Sequence, residues 1–184
     1  MIVFISGGAR SGKSRFAEVM TYDCYDESRR QGNGGKLIYV ATARHTDREM
    51  TERINRHRCE RDEAWQTVEE PLDLLAPVMA AGNDDVMLID CLTVWINNRL
   101  FDSSWNGENA LFHELSDILS LANEKKLQLI FVSNDVNEGS PIENELVIFY
   151  IKMLERVHRF IVNRSDYAYQ VVAGIPIQWK GEGT

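Results

Sequence analysis

The chain carries the run Gly7-Gly8-Ala9-Arg10-Ser11-Gly12-Lys13-Ser14 directly after the apolar residues 2–5. The run has the spacing G-x-x-x-x-G-K-[ST] of a phosphate loop, in which backbone N–H groups at a strand-to-helix turn surround the phosphates of a nucleotide. Residues 16–20 continue in a pattern typical of a helix. The context that the motif needs is therefore present on both sides, and the sequence predicts a nucleoside triphosphate site formed by this loop.

Each residue type in the loop suits a particular task. Gly7 and Gly12 permit backbone angles and close approaches that a side chain would block. Lys13 can reach the β- and γ-phosphates, and Ser14 can supply a hydroxyl to Mg²⁺. We therefore expect the loop to bind the nucleotide together with its metal ion.

Composition indicates one compact domain over residues 1–184, because 184 residues with 44% hydrophobic content can form a substantial core. The net charge of −8 argues against a general nucleic-acid binder and favours a small-molecule substrate. No apolar stretch approaches the length of a membrane span, and the amino terminus enters the first strand without a leader, so we expect a cytoplasmic protein. Cys24, Cys59 and Cys91 are three in number, widely separated and not in C-x-x-C spacing, so the sequence suggests neither a disulfide framework nor a zinc site, and we expect ordinary thiols.

Short apolar runs alternate with helix-like stretches along the chain. The predicted strands are Ile2–Ile5, Leu37–Ala41, Val86–Asp90, Leu127–Ser133 and Tyr169–Ala173. Residues 108–125 and 143–163 have apolar side chains at helical spacing, including Leu146, Tyr150, Met153, Val157 and Phe160 in the second stretch. This alternation predicts an α/β fold with a mainly parallel central sheet flanked by helices.

Asp90 ends the strand Val86–Asp90, and ligands of open α/β sheets bind at the carboxyl ends of strands. A phosphate loop of this class needs a carboxylate to hold the metal ion. We therefore expect Asp90 and Ser14 to bind Mg²⁺.

A basic segment follows the second strand. Six of the 20 Lys and Arg residues lie between positions 44 and 61, which in an acidic chain indicates a site for a second anionic group. His57 falls on one helical face with Met50, Ile54 and Arg61. From this pattern alone, His57 is equally well explained as a histidine packed at the rim of the core, and the arginines as a solvated helix face.

Several blocks together resemble a known family, the bifunctional adenosylcobinamide kinases and adenosylcobinamide-phosphate guanylyltransferases of cobalamin biosynthesis. The blocks are the phosphate loop at 7–14, Tyr39-Val40-Ala41-Thr42-Ala43, Glu49-Met50-x-x-Arg53-Ile54-x-x-His57-Arg58-x-x-Arg61 with Trp65, Asp90-Cys91-Leu92-Thr93 and Val132-Ser133-Asn134-Asp135-Val136. The resemblance implies the P-loop NTPase fold of the RecA-like class in one domain.

The resemblance implies two reactions, with GTP or ATP as substrates and Mg²⁺ as cofactor. In the first, the γ-phosphoryl group passes to the hydroxyl of adenosylcobinamide, with Lys13 as a catalytic residue. In the second, a histidine takes GMP from GTP as a phosphoramidate and passes it to adenosylcobinamide phosphate. The family also implies a homotrimer that acts on a corrinoid. The acidic charge and the lack of a long apolar stretch predict that the protein binds no nucleic acid and has no membrane span.

His57 matches the family's nucleophile, and His45 is the rival, at a position where family members usually carry an aliphatic residue. Around the nucleotide, the resemblance implies contacts from residues in four places. They are Ala41, Thr42 and Ala43 after the second strand, Arg58, Cys59, Glu60 and Arg61 beside the nucleophile, Glu69, and Asp90.

The last third of the chain departs from the family pattern. Ile148, Ile151 and Lys152 stand where the family carries Arg, Arg and Asp, and Glu155 and His158 replace a Gly and an Asn. Two alternatives to the bifunctional enzyme stay open. One is a small-molecule kinase that uses the phosphate loop without guanylyltransferase activity, and the other is a RecA-like regulatory ATPase.

Overall fold

A computed structural model of the chain describes residues 1–44, 63–136 and 144–181. Within these ranges the strands are β1 (Ile2–Gly7), β2 (Leu37–Ala41), β3 (Trp65–Glu69), β4 (Val86–Asp90), β5 (Gln128–Val132), β6 (Tyr167–Val172) and β7 (Ile175–Lys180). The helices are α1 (Lys13–Arg30), α2 (Leu75–Ala80), α3 (Leu92–Leu100), α4 (Glu108–Glu124) and α5 (Glu145–Arg164). The five predicted strands are all present, and their ends shift by at most two residues.

The strands of the described ranges form one sheet in the order β3-β2-β4-β5-β1-β6-β7. All neighbouring pairs run parallel except β6 and β7, which form an antiparallel hairpin. The predicted α/β fold with a mainly parallel sheet flanked by helices is confirmed. One consequence matters for the site: β5 lies between β1, which leads into the phosphate loop, and β4, which ends at Asp90.

Alternate side chains of the central strands enter two separate cores. On β1, Ile2 and Phe4 pack under α2, α3, α4 and α5, while Val3 and Ile5 pack on the opposite face against α1. Because helices cover both faces, the central strands are apolar at nearly every position, which is the pattern that made them recognisable in the sequence.

Strands β3 and β7 were not predicted, and both lie at the edges of the sheet. Every residue of β3 is at least partly exposed, and β7 is exposed along most of its length. Edge strands need no continuous apolar run, so residues 65–69 and 175–180 lack the signal that identified the central strands. No helix in the described part of the chain is long and apolar enough to cross a membrane.

The prediction that Leu146 faces the core was wrong. Leu146 is 62% exposed, whereas Met153 and Val157, two of the other predicted core residues of α5, are buried. Helix α5 starts at Glu145 because the side chain of Asn144 accepts hydrogen bonds from the N–H groups of Leu146 and Val147. Its first turn therefore extends beyond the core that the later turns fill.

Candidate nucleotide and transferase site

The phosphate loop joins β1 to α1 in a tight turn. Strand β1 ends at Gly7, helix α1 begins at Lys13, and Gly12 between them has a φ of 90°, in the left-handed region that favours glycine. The Ser11 N–H donates to the Gly8 carbonyl at 3.2 Å, which closes the turn. Ala9 and Arg10 lie exposed at the tip of the loop.

Gly7 is required by the space around it. A Cβ atom at this position would lie 2.5 Å from Ser11 Oγ and 2.6 Å from the Val171 carbonyl oxygen. Both distances are far shorter than van der Waals contact, so any larger residue would push the loop away from β6. The loop is also held from the β6–β7 hairpin, because the Gly174 N–H donates to the Ser11 carbonyl at 2.8 Å.

Two polar side chains of the loop are buried. Lys13 is 9% exposed, and its Nζ atom donates to the Gly8 carbonyl at 3.3 Å, so the ammonium group lies inside the loop. Ser11 Oγ is buried and has no hydrogen-bond partner among the described residues. Buried polar groups normally have partners. The loop therefore encloses an ammonium group and a buried hydroxyl that has no partner among the described residues.

Asp90 lies at the end of β4, where its Oδ2 atom accepts a hydrogen bond from the Tyr39 hydroxyl at 2.9 Å. Sequence reasoning did not assign Tyr39 a role, although Tyr39 begins a block that resembles the family and is a phenol on an otherwise aliphatic strand. The Ser14 hydroxyl and the Asp90 carboxylate are both hard oxygen donors, the type that Mg²⁺ prefers, and Mg²⁺ usually takes few protein ligands beside phosphates and water. The residues present therefore fit the expected metal ion.

Thr42 joins the ends of β2 and β4. Its hydroxyl donates to the Cys91 carbonyl at 2.9 Å and accepts from the Cys91 N–H at 2.8 Å, and its own N–H donates to the Asp90 carbonyl at 3.1 Å. Thr42 is fully buried. Its side chain therefore fixes the strand ends, and a contact from residues 41–43 to a nucleotide would come from the backbone or from Ala41 and Ala43.

Burial, helped by the neighbouring Asp90 carboxylate, raises the pKa of the Cys91 thiol to about 11. Cys91 is therefore a neutral thiol at physiological pH. This agrees with its interpretation as an ordinary cysteine.

Arg44 and Glu69 lie near the carboxyl ends of β2 and β3. Glu69 is the last residue of β3, in register with Ala41 at the end of β2. Arg44 forms an ion pair with Asp102 at 2.8 Å, and this hydrogen bond is the main cause that lowers the pKa of Asp102 to about 2. One of the six cations between positions 44 and 61 is thus already paired with a carboxylate. His45, His57, Arg58, Cys59, Glu60 and Arg61 lie outside the described residues.

A second polar cluster, which sequence reasoning missed, lies beneath the ends of β4 and β5. Ser133 Oγ is 2.6 Å from His158 Nε2 and 2.9 Å from Thr93 Oγ1. Burial lowers the pKa of His158 from its usual 6.5 to about 4, against a smaller opposing effect of Asp135. We call these three residues the Thr93–Ser133–His158 chain. Thr93 and Ser133 belong to blocks that resemble the family and His158 departs from its pattern, but the sequence does not show that the three meet, because they come from three different elements.

A parallel sheet with a phosphate loop after one strand and a carboxylate after a nearby strand defines a P-loop nucleotide-binding protein. The model of the cobinamide kinase / cobinamide phosphate guanyltransferase family matches residues 3–179, and the chain belongs to this family. The protein is therefore a transferase.

Two relatives match along nearly their whole length. The chain is 36% identical to the bifunctional adenosylcobalamin biosynthesis protein CobP of Pseudomonas aeruginosa over 179 residues. This alignment covers 97% of this chain and 96% of the relative. It is 30% identical over 191 residues to the bifunctional adenosylcobalamin biosynthesis protein CobU of Escherichia coli, and this alignment covers 98% of this chain and 100% of the relative.

Proposed function

We propose that this protein phosphorylates adenosylcobinamide with ATP or GTP and then transfers GMP from GTP to adenosylcobinamide phosphate, giving adenosylcobinamide-GDP and pyrophosphate. The observation that carries the proposal is the buried Lys13 ammonium inside the phosphate loop, in a chain that the family model matches from residue 3 to residue 179. The names of the two relatives, both bifunctional adenosylcobalamin biosynthesis proteins, support the two-step activity.

In the kinase step, the hydroxyl oxygen of adenosylcobinamide attacks the γ-phosphorus, and the bond from that phosphorus to the β–γ bridging oxygen breaks. Positioning and charge stabilisation dominate such a transfer. The Lys13 ammonium and the backbone N–H groups of the loop stabilise charge on the phosphate oxygens. The Ser14 hydroxyl and the Asp90 carboxylate would hold Mg²⁺, which supplies further positive charge when bound.

In the guanylyl step, a nitrogen of the His57 imidazole attacks the α-phosphorus of GTP, and pyrophosphate leaves. A phosphate oxygen of adenosylcobinamide phosphate then attacks the same phosphorus, and the P–N bond breaks. A neutral imidazole is a good nucleophile near pH 7, and the division into two displacements makes each one easier. Arg58 and Arg61 would pair with phosphate oxygens and offset the charge that builds during transfer.

The test is incubation of the wild type and His57→Ala with GTP labelled at the α-phosphate. We expect the wild type to acquire a covalent label that is acid-labile and base-stable, as a phosphoramidate is, and the variant to acquire none. His113→Ala is the matched control, because His113 is an exposed histidine on α4. Label retained in His57→Ala and lost in His45→Ala would identify His45 as the nucleophile. An unlabelled wild type would contradict the guanylyl step and leave only the kinase activity.

Three further expectations from the sequence remain predictions. The protein would be a homotrimer, it would act in the cytoplasm, and residues 1–184 would form one domain that carries both reactions. The same domain would use corrinoid substrates without nucleic acid.

A further inference from the structure

The Thr93–Ser133–His158 chain brings together side chains from three separate elements. Thr93 lies in the first turn of α3, Ser133 directly follows β5, and His158 lies in α5. Ser133 is fully buried, and Thr93 is 8% exposed. A buried polar chain between apolar cores is costly unless its members are paired, and here consecutive members are within 2.9 Å of each other.

The Thr93–Ser133–His158 chain is directly connected to the loop after β5. The Asn134 N–H donates to Thr93 Oγ1 at 2.7 Å, and the Asp135 N–H donates to the Gly7 carbonyl at 3.0 Å. The Asp135 carboxylate also accepts from Gln170 Nε2 at 3.0 Å. Asn134 and Asp135 are therefore held by Thr93 on one side and by the first residue of the phosphate loop on the other.

The position of this loop in the sheet indicates what it faces. Strand β5 lies between β1 and β4, so Asn134 and Asp135 follow β5 between the phosphate loop and Asp90. The loop after β1 binds the triphosphate, and Asp90 would hold its metal ion. Under the proposed function, a group between the two would lie near the phosphoryl group that is transferred.

One arrangement of the hydrogens satisfies all three members of the Thr93–Ser133–His158 chain. In it, Thr93 Oγ1 accepts from the Asn134 N–H and donates its own hydrogen to Ser133 Oγ at 2.9 Å. Ser133 can then donate to His158 Nε2 at 2.6 Å, provided that this nitrogen carries no proton. Burial favours the neutral imidazole, because it lowers the pKa of His158 to about 4. The ring of Phe4 packs edge-on against His158, with centroids 5.0 Å apart, and fixes the imidazole plane.

We propose that His158 is a positioning residue for the acceptor substrate: it accepts the Ser133 hydrogen bond and, through Thr93, holds Asn134 and Asp135 beside the transferred phosphoryl group. The inference rests on the proposed kinase function. His158 touches neither the substrate nor the nucleotide in this scheme. Its effect should therefore be on the acceptor and not on binding of the triphosphate.

The test compares His158→Phe, which keeps a ring without a nitrogen, with His158→Gln, whose side-chain oxygen can replace Nε2 as acceptor. The assay is phosphorylation of adenosylcobinamide by ATP. We expect His158→Phe to raise the KM for adenosylcobinamide about two- to tenfold, the range for loss of one neutral hydrogen bond. The KM for ATP should stay unchanged, and His158→Gln should recover most of the acceptor KM.

Ser133→Ala keeps the test decisive if His158→Phe does not fold, because it removes one oxygen and leaves the ring in place. It should reproduce the change in acceptor KM. Where both single variants fold, the double variant should be no worse than either, since both break the same connection.

A role limited to stability would lower the melting temperature and the active fraction without changing the acceptor KM, and that result would overturn the inference. So would an equal rise in both KM values, or additive effects of the two changes. A wild type that does not phosphorylate adenosylcobinamide would overturn the proposed function itself. An active wild type with unaffected variants would overturn only the role of His158.

Discussion

The phosphate loop and the Thr93–Ser133–His158 chain lie at the same edge of the sheet, yet the protein builds them in different ways. The loop is formed by eight consecutive residues, 7–14, and its internal hydrogen bond joins positions three apart. The Thr93–Ser133–His158 chain joins Thr93 to Ser133 across 40 positions and Ser133 to His158 across 25. A site formed by neighbours in sequence can be recognised from spacing alone, whereas a site assembled from distant elements requires the topology first.

The strongest test of the phosphate loop, the site formed by consecutive residues, is removal of the Lys13 ammonium. Under the proposed function, Lys13→Ala should lower kcat for phosphorylation of adenosylcobinamide by about 10²–10³-fold, because it would remove a preorganised charge that stabilises the transferred phosphoryl group. Steady-state kinetics with ATP and adenosylcobinamide measure the loss. Lys36→Ala is the matched control, since Lys36 is an exposed lysine before β2, at the opposite edge of the sheet. A kcat within threefold of the wild type would show that the loop does not act on the reaction.

The same contrast explains how much of the fold the sequence predicts. Strands β2 and β4 have the predicted boundaries, because both faces of a central strand are buried and the apolar run marks its length. Strand β3 has the sequence Trp-Gln-Thr-Val-Glu and exposes part of every residue, so it lacks the continuous apolar run that marks the central strands. Leu146 follows the helical period of the core residues of α5 and is still exposed, because periodicity does not say how far a helix extends beyond its partner.

Thr42→Val tests a connection assembled from distant residues, since Thr42 and Cys91 are 49 positions apart. Valine keeps the shape and removes the hydroxyl, which leaves the N–H and carbonyl groups of Cys91 without that partner. We expect the free energy of unfolding to fall by about 2 kcal/mol, measured by urea denaturation. Thr42→Ser keeps the hydroxyl and should restore most of the loss. Equal stability of the valine and serine variants would mean that the hydroxyl does not hold the strand ends together.

In the candidate site too, features that are local in sequence were predicted, and contacts between distant elements were not. The sequence predicted Lys13 and Asp90 at one edge of the sheet, because the motif and the ends of parallel strands are local features. It did not predict that Tyr39 would donate to Asp90, nor that the Thr42 hydroxyl would be bonded to Cys91, because both contacts depend on β2 lying beside β4. His158 was visible only as a departure from the family pattern, and its partner Ser133 follows from the packing of α5 near the end of β5.

The smallest expected effect concerns the protonation of His158. Burial lowers its pKa from 6.5 to about 4, so as pH falls below 6.5 the unfolded chain takes up a proton before the folded chain does. The contribution of the neutral imidazole to stability is therefore fully present above pH 6.5 and is lost as pH falls through about 4. At pH 5.5 the wild type should have lost about 1 kcal/mol more of its unfolding free energy than His158→Gln, each relative to pH 7.5. Carboxylates that titrate in this window remain in both proteins and cancel in the comparison. Urea denaturation at the two pH values measures the difference, and parallel losses in the two proteins would mean that the imidazole is not buried as a neutral acceptor.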